Sequence, residues 1–353
     1  ARGTPALDFD HGAAEPVTAS GTARSRLLSP MMRVSWLCAL AWLVPLLTAC
    51  GAAPARSPEG STLYPATPDR LPDAPAAKPE PVPDDIVARS AQPFRGQRNA
   101  DGQALDQAQL LDELSKFDVV CLGEAHDAAR DHFAELAICE GLERRARVSG
   151  RALGVGFEMF QAPYAAALYA YSTGRLDDAG LRKRTHYDER WGYPYAYYRP
   201  VLALGRAYGL PLKALNASRE LTHFVAENGL GELSPRLRRQ LPTDLDLDDR
   251  EHRAAFDRLM ADHPHGNGMD PNNFYAAQVV WDETMAENAA SWVSARAPQR
   301  QLLVLAGSAH CRHAAIPARI ERRQPLRVAS VRLSAETSAD SEGFNYTLVF
   351  DGK

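Results

Sequence analysis

Four short segments of the chain are apolar almost without interruption: 117–122 (FDVVCL), 153–157 (LGVGF), 212–215 (LKAL) and 302–306 (LLVLA). A strand with one wet face alternates apolar and polar residues, so a near-continuous apolar run marks a strand buried on both faces. Between these runs lie longer segments, 106–116, 128–147, 197–208, 248–261 and 272–296, with apolar residues at three-to-four spacing. That is the period of a helix with one buried stripe. Strands alternating with helices make βαβ units, which predicts an α/β fold: a mainly parallel central sheet flanked by helices. Segments 327–333 and 346–350 are expected to complete the sheet. Residues 217–271 show no clear strand pattern and are expected to form a helical insertion or cap.

The first 84 residues follow other rules. Residues 1–30 are polar with no apolar period and are read as a non-structural extension. Residues 31–49 open with Met31, Met32 and Arg33 and then run apolar from Val34 to Leu47. At 14 residues this run is too short for a stable membrane span and matches the core of a signal peptide. It ends in Leu47-Thr48-Ala49-Cys50, which resembles the bacterial lipoprotein box, with Cys50 as the lipidated residue. Residues 51–84 then hold nine of the chain's 25 prolines. Such a composition resists helix and ladder and behaves as an extended tether. The folded domain is expected over 85–353.

Charge and cysteine content narrow the function classes. A formal net charge of -4 leaves no basic footprint for nucleic acid. Five cysteines in 353 residues cannot make a disulfide scaffold. With Cys38 in the leader and Cys50 at the anchor, Cys121, Cys139 and Cys311 belong to the fold. None of them forms Cys-x-x-Cys, and the covalent-haem motif Cys-x-x-Cys-His is absent. Cys121 sits in a core strand and reads as an apolar filler; a disulfide between two of the three stays open.

Candidate chemistry gathers where the strands end. The run 117–122 is followed by Gly123, Glu124, Ala125 and His126; 153–157 by Glu158; 212–215 by Asn216; and 302–306 by Gly307, Ser308, Ala309 and His310. Open α/β sheets bind ligands outside the carboxyl ends of their strands. Charged groups brought to a crowded edge must be paired, metal-bound or functional. Glu124, His126, Glu158 and His310 are therefore expected to share one site. Such a set suits a divalent metal, acid–base work on a water, or the anchoring of a haem, and spacing does not choose among them. Glu124 and His126, two apart after a strand, lie on one side of an extended segment, unlike the helical His-Glu-x-x-His pair.

Three further features carry candidates. Segment 187–200 holds five of the twelve tyrosines and a tryptophan. It reads either as an aromatic clamp or as a platform for a flat aromatic ligand, with Tyr193 or Tyr198 toward iron and Arg199 toward a carboxylate. The loop 263–268 presents His263 and His265, either plain surface residues or ligands to a metal or haem. On the segment 272–296, Tyr275, Gln278, Asp282 and Met285 share a stripe. A buried Asp282 would need a partner, His310 or His126.

The motifs LGEAHD (122–127), FEMF (157–160), YRP (198–200), ALNA (214–217), AQVVWDETMAEN (277–288) and LAGSAH (305–310) occur in that order. Together with the lipoprotein box they resemble the ChaN-type haem-binding lipoproteins, whose superfamily also holds the Tiki metalloproteases and the erythromycin esterases. The resemblance covers about 105–333. It implies an α/β fold, a lipid anchor at the bacterial outer membrane, haem binding in iron uptake, and a homodimer with haem across the interface. It also implies that Glu124, His126, Glu158 and His310 form the superfamily's polar edge, which is catalytic or metal-binding in the hydrolase branches. Three functions follow as alternatives: haem capture without chemistry, Glu/His or metal-dependent hydrolysis, and a surface lipoprotein without ligand. Haem capture is the reading adopted, with the haem beside the strand-end cluster rather than inside it.

Overall fold

A computed structural model describes residues 93–261, 270–333 and 341–350 of the chain. The leader, Cys50, the proline-rich tether and the loop histidines His263 and His265 lie outside the described residues. No described helix is long and apolar enough to cross a membrane.

Eight strands form one sheet: β1 (Phe94–Arg98), β2 (Gln103–Leu105), β3 (Val119–Glu124), β4 (Ala152–Gln161), β5 (Leu212–Asn216), β6 (Arg300–Gly307), β7 (Val328–Arg332) and β8 (Tyr346–Phe350). Their order across the sheet is β2-β1-β8-β7-β3-β6-β4-β5. From β8 to β5 every neighbouring pair is parallel, while β1 runs antiparallel to both β8 and β2. The four apolar runs are therefore parallel neighbours, as their pattern predicts: β3, β6 and β4 are inside the sheet and β5 is its edge. Strands β1 and β2 were not expected. They are short, β2 being the edge and β1 its neighbour, and only Phe94, Gly96 and Leu105 in them are buried, too little for a period to show.

Period-two geometry sorts the core. Val120, Leu122, Val155, Phe157, Leu303 and Leu305 pack on one face with Leu136, Ile138, Val201 and Leu202 from the helices Ala129–Ser149 and Tyr195–Tyr208. Val119, Cys121, Leu302 and Val304 pack on the other with Met285, Ala289, Val293 and Ile320 from the helices Pro271–Ser294 and Ile316–Arg323. Gly154 lies under the Trp292 ring; a Cβ there would stand 2.6 Å from it. The five predicted helices occur with small shifts at their ends. The first is fixed by a capping box in which Asp106 accepts from the Gln109 amide and the Gln109 side chain accepts from the Asp106 amide.

The insertion carries the helices Arg219–Asn228, Pro235–Arg238 and Arg250–Ala261, with no strand among its described residues. Leu221, Val225 and Leu233 seat it against Ala277 and Val280 of the long helix. Cys121 is more than a filler. It is disulfide-bonded to Cys311, with 5.4 Å between their Cα atoms, because the turn after β6 folds back over β3. Cys139 is free and buried.

Leu305, fully buried in the central strand β6, and Val349, 43% exposed on β8, test this layering. Leu305→Ala is expected to lower the unfolding free energy by about 2–5 kcal/mol. Val349→Ala should cost under about 0.5 kcal/mol. Equal shifts of the urea midpoint in the two variants would contradict the assignment of β6 to the core.

Candidate functional site

The strand ends meet at one edge, but successive residues of a strand point to opposite faces. Register pairs Glu124 with Gly307, and Phe157 with Leu305. Glu124 continues the series Val120, Leu122 and points toward the helices Ala129–Ser149 and Tyr195–Tyr208. Glu158 follows Phe157 and points to the other face, toward the long helix. The two carboxylates thus found two clusters, and His126 lies over the edge between them.

In the first cluster, Glu124 Oε1 accepts from the Tyr198 hydroxyl at 2.7 Å and lies 2.5 Å from His126 Nδ1. Its Oε2 stands 3.5 Å from His132 Nδ1. His132 Nδ1 is 3.1 Å from Glu135 Oε2, and its Nε2 is 3.1 Å from the His126 carbonyl oxygen. Burial alone would raise the Glu124 carboxyl, but hydrogen bonds from Glu135 and His126 and the nearby imidazoles bring it down to about 2. Glu135, buried beside that negative charge, is pushed well above the usual carboxylate range, so the pair holds one proton between them. Burial and Glu124 likewise keep the Tyr198 phenol protonated, a donor to the carboxylate.

The second cluster is a line of alternating acids and imidazoles. Glu158 Oε2 accepts from the Gly307 amide at 2.7 Å, and its Oε1 lies 3.3 Å from His310 Nε2. His310 Nδ1 is 2.6 Å from Asp282 Oδ1, and Asp282 Oδ2 is 2.9 Å from His252 Nε2. His252 Nδ1 reaches the Tyr275 hydroxyl at 3.1 Å, and Gln278 donates to Asp282 at 3.1 Å. Asn216 donates to the Glu158 carbonyl at 2.9 Å and stiffens the end of β4. Burial opposes charge on His310, but Glu158 and Asp282 outweigh it and raise the imidazole well above its ordinary value. Burial would raise Glu158 and Asp282, yet His310 holds both below their ordinary values. Burial also opposes charge on His126, and Glu124 and Glu158 together raise it.

A Cβ on Gly307 would stand 2.8 Å from His126 Nε2, so this glycine makes room for the imidazole that joins the two clusters. Glu124, His126, Glu158 and His310 are all present at the edge, but as two pairs rather than four ligands around one point. Among the described residues the convergent donor group is Glu124, His132 and Glu135, whose ligand atoms lie within 4.8 Å of one another.

Segment 187–200 divides its residues. Tyr198 is buried with its hydroxyl on Glu124, so it faces the core rather than a ligand. Arg199 lies at the surface and pairs with Asp178 at 2.9 Å, which also accepts from the Tyr171 and Tyr195 hydroxyls. Tyr193 is half-buried against His126, ring centroids 4.8 Å apart, and Trp191 meets the same imidazole edge-on at 5.0 Å. Tyr197 stacks on His132 at 4.6 Å. These rings form a half-exposed aromatic rim beside a closed acid–base core. Asp282 has His310 and His252 as its partners, one of the two expected. His132, Glu135 and His252 were missed. Their signal is a polar side chain at a buried-stripe position of a helix: His132 and Glu135 one turn apart, and His252 one turn before Phe256.

A family profile described as "Haem-binding uptake, Tiki superfamily, ChaN" matches residues 110–320. No curated protein matches the chain. A solved structure of ChaN from Campylobacter jejuni with cofacially bound haem shares 18% identity and covers 74% of this chain and 98% of that one, with a TM-score of 0.60. At that identity the likeness speaks for the fold. An erythromycin esterase mutant, EreC in its open conformation, shares 14% identity over 73% of this chain and 82% of its own, with a TM-score of 0.41. The type III effector HopBA1 shares 14% over 72% and 94%, with a TM-score of 0.39. These last two are too distant to carry an argument.

The charge line predicts how stability depends on pH. Glu158 and Asp282 bind protons less readily folded than unfolded. Their contribution is complete above their ordinary values of 4.5 and 3.8 and is lost as pH falls through the lowered folded ones. His310 binds its proton more readily folded. Its contribution is complete below 6.5 and is lost as pH rises through the raised value. These three groups therefore contribute most to stability in urea unfolding between about pH 4.5 and 6.5, and the raised Glu135 carboxyl tilts the maximum toward the acid end of that window. Asp282→Asn should cost about 3–5 kcal/mol there, and His310→Gln should flatten the decline above pH 6.5. An unchanged alkaline slope in His310→Gln would show that this imidazole is uncharged in the fold.

Proposed function

We propose a function from the premise that this chain belongs to the ChaN family of haem-binding uptake proteins in the Tiki superfamily. The protein binds haem at the carboxyl edge of the sheet, on the aromatic rim and outside the closed acid–base cluster. The observation that carries this reading is the rim itself: Trp191, Tyr193 and Tyr197 half-buried in a row against His126 and His132.

The chemistry of the rim fits the ligand. A porphyrin buries flat apolar area against aromatic rings and needs cations for its two propionates. The indole N–H of Trp191 is buried with no acceptor among the described residues, a donor that a propionate would satisfy. A neighbouring cavity of about 370 Å³ is lined by Arg190, Arg219, His186 and His223 together with Glu189 and Glu220. Arg190 is paired with Glu220 at 2.6 Å, so a propionate would have to share these cations with the acids. The strand-end cluster does not fit a haem, because its carboxylates are buried and already neutralised by imidazoles, and propionates would add negative charge to them. Tyr193, Arg199 and the loop residues His263 and His265 stay the candidates for contacts at the rim. When bound, the haem supplies its iron and propionates; this chain supplies aromatic area, cationic partners and a rigid sheet edge.

The wider setting is part of the same proposal. Cys50 anchors the protein by lipid to the bacterial outer membrane, the tether holds the domain off the surface, and captured haem serves iron acquisition. The Cys121–Cys311 disulfide suits an oxidising envelope compartment. A porphyrin on an open rim leaves one face in water, which a second copy of this chain would cover as a homodimer.

A second reading, hydrolysis, draws on the line Asp282–His310–Glu158. In it Glu124 and His126 serve as base and acid on a water, with or without a metal.

Titration of the purified protein with haemin is expected to give a saturable Soret shift. The double variant Trp191→Ala/Tyr193→Ala should weaken haem at least about tenfold, and His310→Gln should leave it within about twofold. No Soret change, together with ester hydrolysis lost in Glu124→Gln, would replace haem capture by the second reading. In cells, Cys50→Ser should move the protein from the membrane fraction to the soluble fraction; retention at the membrane would remove the lipid anchor from the account.

A further inference from the structure

We propose that Glu124, His132 and Glu135 form a divalent metal site buried beneath the aromatic rim, for a first-row ion such as zinc or manganese. The proposal does not rest on haem binding, and of the four strand-end residues that the sequence suggested as ligands it keeps only Glu124, adding His132 and Glu135 from the helix Ala129–Ser149.

The first argument is spacing. Donors around a four-coordinate ion at about 2.0–2.2 Å stand about 3.4 Å apart. Glu124 Oε2 and His132 Nδ1 are 3.5 Å apart, and His132 Nδ1 and Glu135 Oε2 are 3.1 Å apart. The second is the orientation of the imidazole. A metal-bound histidine donates its other ring N–H to a carbonyl or carboxylate. His132 Nε2 is directed at the His126 carbonyl oxygen at 3.1 Å, which turns Nδ1 toward both carboxylates. Tyr197 stacks flat on the ring and holds that orientation.

The third argument is what remains unsatisfied. Apart from the proton that the two carboxyl groups share, Glu124 Oε2, the oxygen facing His132, and Glu135 Oε1 are buried with no hydrogen-bond partner among the described residues. All three residues are buried. Buried carboxylate oxygens are matched by donors, by protons or by metal ions. Without an ion one proton must serve both carboxyl groups, and an ion replaces that proton and satisfies the orphaned oxygens together. One imidazole and two carboxylates make a nitrogen–oxygen donor set suited to zinc or manganese and unsuited to soft, thiolate-seeking ions. Glu124 Oε1 keeps its bonds to Tyr198 and His126, so the ion would hold the inner oxygen of the same carboxylate whose outer oxygen serves the edge.

The test uses the haem-free full-length protein, stripped with chelator and titrated separately with zinc chloride and manganese chloride. One equivalent of one of these ions should bind and raise the melting temperature. Glu135→Gln, which keeps the shape and a hydrogen bond to Glu124, should fold and lose at least about tenfold in metal affinity. His132→Ala should lose it too. Glu143→Gln, two turns along the same helix, should bind as the parent does. If neither ion binds the parent protein, or if folded Glu135→Gln binds as tightly as the parent, the site is a shared-proton carboxyl pair and the proposal falls.

Discussion

The buried charge at the strand ends governs this structure. Glu124, Glu158 and Asp282 are carboxylates with almost no contact with water. A carboxylate left unpaired in such a place neutralises itself or unfolds its surroundings. Each is met instead by imidazole: Glu124 by His126, Glu158 by His310, and Asp282 by His310 and His252. Those pairings fix how the surrounding elements lie. The long helix must turn Asp282 toward the end of β6, the insertion must bring His252 to it, and the turn after β6 must carry His310 between two acids. The Cys121–Cys311 disulfide, one residue beyond His310, ties that turn to β3.

Strand alternation then divides the labour. Because Glu124 and Glu158 leave the sheet on opposite faces, the edge is a thin wall with a separate polar cluster on each side and one imidazole across the top. Most donors and acceptors of the clusters bind each other, Glu124 Oε2 and Glu135 Oε1 being the exceptions, and Tyr198 closes one cluster from within. Half-exposed aromatic surface is left beside the wall, where Trp191 and Tyr193 crowd against His126. A closed, buried base under a half-exposed aromatic shelf suits capture of a flat ligand, since the shelf is fixed before the ligand arrives. The same base contains the parts of an acid–base machine, so the fold can host either role by changing what stands on the rim.

Much of this was legible in the sequence for identifiable reasons. The four core strands stood out because burial on both faces removes polar residues from the run. The polar edge stood out because Glu124, His126, Glu158, Asn216 and His310 follow those runs directly. Strands β1 and β2 were not legible, since strands of five and three mostly polar residues carry no clear period. Nor was the division into two clusters, which depends on the register of β3 against β6 and β4. His132, Glu135 and His252 lie on helices whose rotation is set by packing, so their spacing alone did not bring them to the site. Tyr198 and Arg199 are neighbours in one motif, yet the helix turns one into the core and the other to the surface.

The central claim is that paired charge, rather than open coordination, holds the strand ends. Nitrogen-15 NMR of histidine-labelled protein reads it directly at His310, assigned through His310→Gln. At about pH 7.5, a unit above the ordinary imidazole value, both ring nitrogens of His310 should carry protons, and should keep them when haemin is added. A neutral-imidazole signal for His310 at that pH would contradict the account.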